Sequence, residues 1–146
     1  MTYRLLVTGS QTWNDPDLLA FILHSILRAH PDLLVVHGDA PRTEDGTGAD
    51  SMTRAWCVIN SVPEERHKAE WRPGGVYQWD AGFKRNEVMV DLGADSCVSF
   101  MMPCRKATCT WKREHTTHGT SHTMTLAKVA GIPVQEIEPL VRSEEE

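Results

Sequence analysis

Residues 33–50, LLVVHGDAPRTEDGTGAD, contain an apolar run followed by a polar segment rich in glycine. Four consecutive apolar residues without polar alternation are typical of a strand that is buried on both faces of a parallel sheet. The polar segment ends at Gly48-Ala49-Asp50, where apolar residues begin to recur at helical spacing. A strand, a glycine-rich turn and a helix in this order predict an α/β fold.

The rest of the chain repeats this alternation. Other short apolar runs lie at 5–7 and 97–101, and a last strand is expected near 134–137. Apolar residues recur at helical spacing in four segments, at about 18–27, 52–59, 82–92 and 120–130. With a further strand at 65–70, the order is β-α-β-α-β-α-β-α-β. Right-handed crossovers then predict a three-layer Rossmann-like fold, with a mostly parallel sheet of about five strands flanked by helices.

The composition is that of one globular domain. The chain has 146 residues, of which 40% are hydrophobic and 24% charged, which is enough for a real core. The formal net charge is −5, and the absence of a basic patch disfavours nucleic acid as a partner. No apolar run approaches the roughly 18 residues of a membrane span, and no secretory signal is recognised. We expect a cytoplasmic protein with one domain at 1–142 and a solvated acidic tail at 143–146.

Four short polar clusters stand where apolar runs end. They are Thr8-Gly9-Ser10, the stretch from His37-Gly38-Asp39 to Gly48-Ala49-Asp50, Lys84-Arg85-Asn86-Glu87, and His118-Gly119-Thr120-Ser121. The carboxyl ends of parallel strands lie side by side, so these clusters should converge on one crevice. Glycines there let backbone N–H groups approach an anion, and helix N-termini add positive potential. The pattern predicts a site for a phosphorylated small molecule, most simply a nucleotide.

Several of these residues also have a purely structural interpretation. Ser10 and Gly9 could bind a phosphate or ribose, or could simply complete a tight turn between a strand and a helix. Trp13 could stack on a base or pack on the first helix. Asp50 could bind the ligand or cap its own helix, whereas Asp39 is a candidate for ribose hydroxyls or a water molecule.

Arg85 occupies an unusual position for a cation. It stands in the first turn of a predicted helix, where positive charge opposes the helix dipole. A guanidinium that binds a phosphate through two hydrogen bonds would explain this placement. The alternative is an ordinary solvated surface arginine.

The loop at 103–118 carries a second candidate site. Its pattern is Cys104-x4-Cys109-x5-His115-x2-His118, and Cys₂His₂ is a ligand set that tetrahedral Zn²⁺ uses in structural sites. The loop has little apolar material, so a bound metal would offset the entropy of ordering it. We predict structural zinc here. The alternatives are an incidental cysteine pair, or a role for His118 in the nucleotide pocket.

Two consequences follow from the zinc prediction. Cys57 and Cys97 lie in apolar patterns, where cysteine behaves as a small hydrophobic residue, and they are excluded as ligands. Trp111, Lys112 and Arg113 would then be displayed on a flap beside the pocket. That flap could close over the ligand or contact a partner.

The order of motifs carries a resemblance to a known family. TGS, HG…GAD, RNEVM followed by GADSCVSF, HGTSHT and AGIPV together resemble the SLOG superfamily and, within it, the YspA/YpsA-like branch. SLOG proteins are related to the LOG phosphoribohydrolases and to the Rossmann domain of DNA-processing protein A. The resemblance implies a Rossmann-like fold that binds a nucleotide or nucleotide-derived ligand, and it makes a homo-oligomer plausible. Its implied pocket comprises Gly9, Ser10, Gly38, Gly48, Asp50, Arg85, Asn86, Gly119 and Thr120.

One position departs from the LOG enzymes. Their last loop resembles PGGxGTxxE, whose glutamate works on the N-glycosidic bond, whereas Thr123 stands at that position here. Cleavage through an oxocarbenium-like state benefits from a positioned carboxylate, so we expect a binding module, a sensor or sequestering protein, without LOG-type catalysis. The alternative is a nucleoside-monophosphate N-glycoside hydrolase, with Glu87 or Asp39 as weak candidates for the acid/base. Binding of single-stranded DNA is a third alternative, which the net negative charge of the chain disfavours.

Overall fold

The computed structural model describes residues 1–110 and 114–140. The predicted flap residues Trp111, Lys112 and Arg113 and the acidic tail at 143–146 lie outside this range. Within it, parallel strands alternate with α-helices. The elements are β1 (Tyr3–Gly9), α1 (Pro16–Ala29), β2 (Leu33–His37), α2 (Ala49–Ile59), β3 (Glu64–Arg66), α3 (Ala81–Asp91), β4 (Ser96–Phe100), α4 (His118–Val129) and β5 (Val134–Ile137).

The five strands form one parallel sheet in the order β3-β2-β1-β4-β5. The chain first runs outward from β1 through β2 to β3, and it then returns to β4 on the opposite side of β1. This reversal creates a topological switch point between the carboxyl ends of β1 and β4, which is where α/β proteins bind ligands. The predicted α/β, Rossmann-like fold is confirmed.

Two hydrophobic cores cover the two faces of the sheet. Leu5 and Val7 of β1 belong to the core that includes buried residues of α1 and α2, whereas Leu6 points into the core formed with α3 and α4. Successive residues of a strand face opposite sides, so a continuous apolar run supplies both cores. The uninterrupted apolar runs in the sequence therefore have a direct structural cause.

The starts of α1 and α2 differ in their agreement with the sequence pattern. Asp15 caps α1 as predicted, because its carboxylate accepts the N–H of Leu18 at 3.0 Å. The N-cap of α2 is instead Gly48, and Asp50 lies inside the first turn. Its carboxylate accepts the N–H of Ala40 at 3.1 Å. The structural alternative in which Asp50 caps α2 is therefore wrong.

The third strand is much shorter than expected. The pattern predicts a strand at 65–70, but β3 covers only Glu64–Arg66 at the edge of the sheet. Residues 67–80, which follow it, form an irregular connection with a short 3-10 turn at Pro73–Gly75.

No helix among the described residues is both long and apolar enough to cross a bilayer.

Candidate functional site

Ser10 lies at the switch point, directly after β1. Its N–H donates to the carbonyl of Phe100 at 3.0 Å, and its Oγ accepts the N–H of Met102 at 3.1 Å. Its carbonyl in turn accepts the N–H of Ala49 at 3.1 Å. The first polar cluster is therefore joined both to the segment after β4 and to the beginning of α2.

A chain of hydroxyl groups connects Ser10 with the N-terminus of α4. Ser10 Oγ lies 2.5 Å from Thr117 Oγ1, and Thr117 Oγ1 donates to Thr120 Oγ1 at 3.2 Å. Because each hydroxyl has one proton, Ser10 donates to Thr117 in this order, and Thr120 keeps its proton for another acceptor. The first-turn N–H groups of Gly119 and Thr120 have no intrahelical acceptor. This end of the crevice is thus rich in donors.

Asn86 joins α3 to this end of the crevice. The side chain is buried, and its Nδ2 lies 3.4 Å from the carbonyl oxygen of Gly119 in the first turn of α4. Its Oδ1 accepts a hydrogen bond from Nε of Arg85 at 2.9 Å. The third and fourth clusters therefore meet, and Asn86 also orients the guanidinium of Arg85.

The Arg85 guanidinium extends over the end of β2. Its Nη1 donates to the carbonyl of Gly38 and lies 3.4 Å from the carbonyl oxygen of His67. A Cβ atom on Gly38 would lie 2.6 Å from Nη1, so glycine at this position makes room for the guanidinium. Burial lowers the pKa of Arg85, and the carboxylates of Asp50 and Asp39 oppose that shift. Arg85 is thus a partly buried cation and not a solvated surface arginine.

A group of acidic residues and one histidine lies beside Arg85. Burial raises the pKa of Asp50, while the hydrogen bond from the N–H of Ala40 acts against that rise. His37 Nδ1 accepts the N–H of Asp39 at 3.0 Å, so the ring proton is on Nε2, which donates to Glu64 at 2.8 Å. Asp39 has a φ of 51°, a left-handed conformation that aspartate tolerates better than most residues. Perturbed carboxyl groups of this kind concentrate at functional sites.

Trp13 is part of the core. Its side chain is fully buried, its Nε1 donates to the carbonyl of Asp15 at 2.9 Å, and its ring packs against Phe100. The prediction that Trp13 stacks on a base is therefore wrong, because no face of the indole is exposed.

Two further glycines and a threonine of the predicted pocket are engaged by the protein itself. Gly9 packs against Ala49, since a Cβ atom on Gly9 would lie 2.4 Å from the Ala49 Cβ. The N–H of Gly48 donates to the carbonyl of Trp13 at 2.9 Å, and Thr8 is buried. The donor-rich part of the crevice is consequently the N-terminus of α4 and not that of α2.

The candidate acid/base residues are scattered. Glu87 is exposed on α3, where its charge raises the pKa of His122 against the larger effect of burial, which lowers it. Asp39 lies at the opposite end of the crevice, beside Arg85. Thr123, which replaces the LOG glutamate, is fully buried and donates to the carbonyl of Gly119 at 3.2 Å.

The four predicted metal ligands converge on one point. The ligand atoms of Cys104, Cys109, His115 and His118 all lie within 4.8 Å of one another. Cys109 Sγ is 3.5 Å from His115 Nε2 and 3.3 Å from His118 Nε2, and the two Nε2 atoms are 3.1 Å apart. A tetrahedral zinc ion would place sulfur and nitrogen ligands about 3.6 Å apart and two nitrogens about 3.3 Å apart. The cluster therefore fits a metal ion of this kind.

Backbone contacts bring these ligands together. The N–H of Cys104 donates to the carbonyl of His115 at 2.7 Å, and Pro103 and Thr116 form an antiparallel bridge beside it. His118 is the first residue of α4, so the cluster connects the loop to the donor-rich end of the crevice. The other two cysteines do not belong to this cluster, because Cys57 and Cys97 lie in the two hydrophobic cores, where burial raises the pKa of each to about 12.

The segment at 67–80 was missed by sequence reasoning. Together with α3 it encloses a cavity of about 360 Å³, here called the α3 cleft, which is lined by His67, Lys68, Glu70, Pro73, Gln78, Ala81, Lys84, Arg85 and Val88. A detectable signal existed, since residues 66–85 carry five Lys and Arg but two Asp and Glu, with four aromatic residues at 71, 77, 79 and 83. The expectation that Lys and Arg do not cluster is wrong for this segment.

The fold and site together define a Rossmann-like protein with a ligand crevice at its switch point. Comparison with known proteins is more specific. The family model YAcAr, described as the YspA, cpYpsA-related SLOG family, matches residues 3–74. The Gene 61 protein of Mycobacterium phage D29 is 37% identical over 141 residues, which cover 90% of this chain and 93% of that protein. The chain belongs to the YspA, cpYpsA-related SLOG family.

Proposed function

We propose that this protein is a binding module that senses or sequesters a nucleotide or a nucleotide-derived molecule. The observation that carries the proposal is the hydrogen-bonded connection from Ser10 through Thr117 to Thr120, with Asn86 joining α3 at the same place. Membership of the SLOG family supports a nucleotide-related ligand.

In this proposal the phosphate group binds at the N-terminus of α4. The Thr120 hydroxyl and the first-turn N–H groups of Gly119 and Thr120 act as donors, and the helix dipole favours the negative charge. Arg85 contributes a guanidinium from α3, and its Nη2 atom donates to no acceptor within residues 1–110 and 114–140, which leaves it for the ligand. Asn86 acts as a positioning residue because it binds both Arg85 and the first turn of α4.

The hydrolase alternative lacks a carboxylate at the position of the LOG glutamate. Thr123 has its hydroxyl engaged by the carbonyl of Gly119, and Glu87 lies exposed on α3. A glycoside hydrolase needs a carboxyl group beside the scissile bond. Incubation with nucleoside monophosphates, followed by chromatography for free base, tests this alternative directly. We expect no base release.

Isothermal titration with a panel of nucleoside monophosphates and ribose 5-phosphate tests the binding proposal. Thr120→Val removes one hydroxyl with little change in volume, and we expect about tenfold weaker binding from the loss of a hydrogen bond to a charged group. Thr125→Val is the matched control, because Thr125 is exposed on the same helix. Absence of binding by the unmodified protein, or equal affinities of the two variants, would contradict the proposal.

We also propose that the Cys₂His₂ cluster holds a structural zinc ion. The proposal rests on the close approach of four suitable ligand atoms and on the backbone bridge that brings them together. Zinc would supply a cross-link that orders the loop, since Cys₂His₂ leaves no open coordination position for chemistry.

Metal analysis of the purified protein tests the zinc proposal. We expect one zinc ion per chain, and its loss in Cys109→Ser. Cys57→Ala is the control, because Cys57 is buried in the α1/α2 core and should not affect metal content. Protein purified without metal, or a Cys109→Ser variant that retains stoichiometric zinc, would argue against this assignment.

A further inference from the structure

We propose that the base of the bound nucleotide stacks on Trp71 beside the α3 cleft, while its phosphate lies on the α4 side of Arg85. This inference rests on the proposed function and adds a subsite to it. Arg85 belongs to both regions, because it is held through Asn86 beside α4 and also lines the α3 cleft. One ligand could therefore extend across the guanidinium from one region to the other.

The α3 cleft has the size and charge of an anionic ligand's site. Its volume of about 360 Å³ lies within the usual range for small-molecule pockets. Lys68, Lys84 and Arg85 line it together with a single carboxylate, Glu70. Lys84 also has a carboxylate partner, Asp80, at 3.6 Å, but the lysine side chain remains mostly exposed. In a chain of net charge −5, this local excess of positive charge attracts a ligand that carries a phosphate, which the proposal places on the α4 side of Arg85.

Trp71 and Arg85 border the same notch. A Cβ atom on Gly82 would lie 3.3 Å from Cη2 of Trp71 and 3.7 Å from Nη2 of Arg85. Any larger residue at this position would crowd the indole and fill the space between it and the guanidinium. Glycine at position 82 therefore leaves an aromatic ring and a hydrogen-bond donor side by side.

The orientation of Trp71 is fixed by its own loop. Its ring lies nearly parallel to that of Tyr77, with 12° between the planes and 6.3 Å between the centroids. The guanidinium carbon of Arg72 lies 5.4 Å from the Tyr77 ring centroid, and the N–H of Gln78 donates to the Trp71 carbonyl at 2.6 Å. These contacts bring the two rings together within the loop, and an indole held in this way loses less conformational entropy when a ligand stacks on it than a free side chain would.

A nucleobase is the partner that this combination fits best. Trp71 remains 45% exposed although it stands in an ordered loop beside a cavity. Aromatic side chains next to cations bind nucleotides by stacking on the base, which is tolerant of base identity. The subsite would therefore add affinity for the base without requiring a particular one.

Titration of two Trp71 variants with two ligands tests the subsite. Trp71→Ala should bind a nucleoside monophosphate about tenfold more weakly, and it should bind ribose 5-phosphate, which has no base, with unchanged affinity. Trp71→Phe should restore most of the affinity, because phenylalanine also stacks. Trp79→Ala is the matched control, since Trp79 is 72% exposed in the same loop and, unlike Trp71, is not among the nearest neighbours of Gly82 beside Arg85.

The outcomes separate this inference from the proposed function. If Trp71→Ala binds the nucleotide as tightly as the unmodified protein, the subsite is wrong and the binding module stands. If both ligands weaken equally, Trp71 acts on the fold and the subsite is again wrong. If the protein binds oligothymidylate in preference to a nucleotide, the occupant is a nucleic acid strand. If the protein is a dimer and Trp71→Ala abolishes it, the occupant is a second copy of the chain. Either result overturns the inference. Failure of the unmodified protein to bind any nucleotide overturns both proposals.

Discussion

Glu65 is the residue whose charge is most strongly stabilised by its neighbours. Its carboxylate accepts hydrogen bonds from both terminal nitrogens of Arg4, at 3.1 and 2.9 Å, and lies 2.8 Å from Nε2 of His67. The hydrogen bond from Arg4 is the largest of several effects that lower the pKa of Glu65 to about 2. Because His67 lines the α3 cleft, this ion pair also connects the first strand to that cleft.

The lowered pKa of Glu65 predicts a pH-dependent stability. A carboxyl group whose pKa is lower in the folded state stabilises the fold above its unfolded pKa, and this contribution is lost as the pH falls through the folded pKa. We expect the free energy of unfolding, measured in urea, to fall between pH 6 and pH 3. This fall should be about 1 kcal/mol smaller for Glu65→Gln than for the unmodified protein, allowing for solvent screening. Glu136→Gln, which removes an exposed ion pair with Lys128, is the control, and its free energy of unfolding should fall by as much as that of the unmodified protein.

The partners of single residues were the least predictable feature. The sequence places Gly38 correctly after a strand, but the glycine there admits the Arg85 side chain from a helix 47 positions further along the chain. The partners of Trp13 and Asp50 were equally hard to predict from the sequence. Their hydrogen bonds to Asp15 and Ala40 depend on turn geometry, which residue type alone does not specify. Ligand chemistry was more predictive, since Cys104 and its three partners converge as their spacing indicated.

Among the elements, the central strands were predictable and the edge strand was not. The runs at 5–7 and 33–36 lie within β1 and β2, and the run at 97–101 extends one residue beyond β4, because buried parallel strands are apolar on both faces. The prediction for β5 matches Val134–Ile137. The edge strand β3 has the sequence Glu-Glu-Arg and one neighbour, so apolar periodicity gave no signal for it. Helix α4 begins at His118, two residues before the predicted start.

At the scale of the whole molecule, the sheet and the Cys/His loop are stabilised independently. The two cores are built from the strands, the helices and their immediate flanks, and none of the four ligand residues belongs to either core. The loop instead depends on a few backbone hydrogen bonds and on the proposed metal. Segments with few buried apolar contacts open at a lower free energy than the core.

Chelation should therefore open the loop and leave the sheet intact. We expect hydrogen exchange after zinc removal to show lost protection at 103–110 and 114–121 and unchanged protection in β1, β2 and β4. Nucleotide affinity should fall with it, because Thr117 connects Ser10 to Thr120 and precedes the ligand His118 directly. The Cys57→Ala variant, which keeps its metal, provides the reference. Cooperative loss of protection throughout the sheet would show instead that the metal stabilises the entire fold, and unchanged affinity would separate the loop from the crevice.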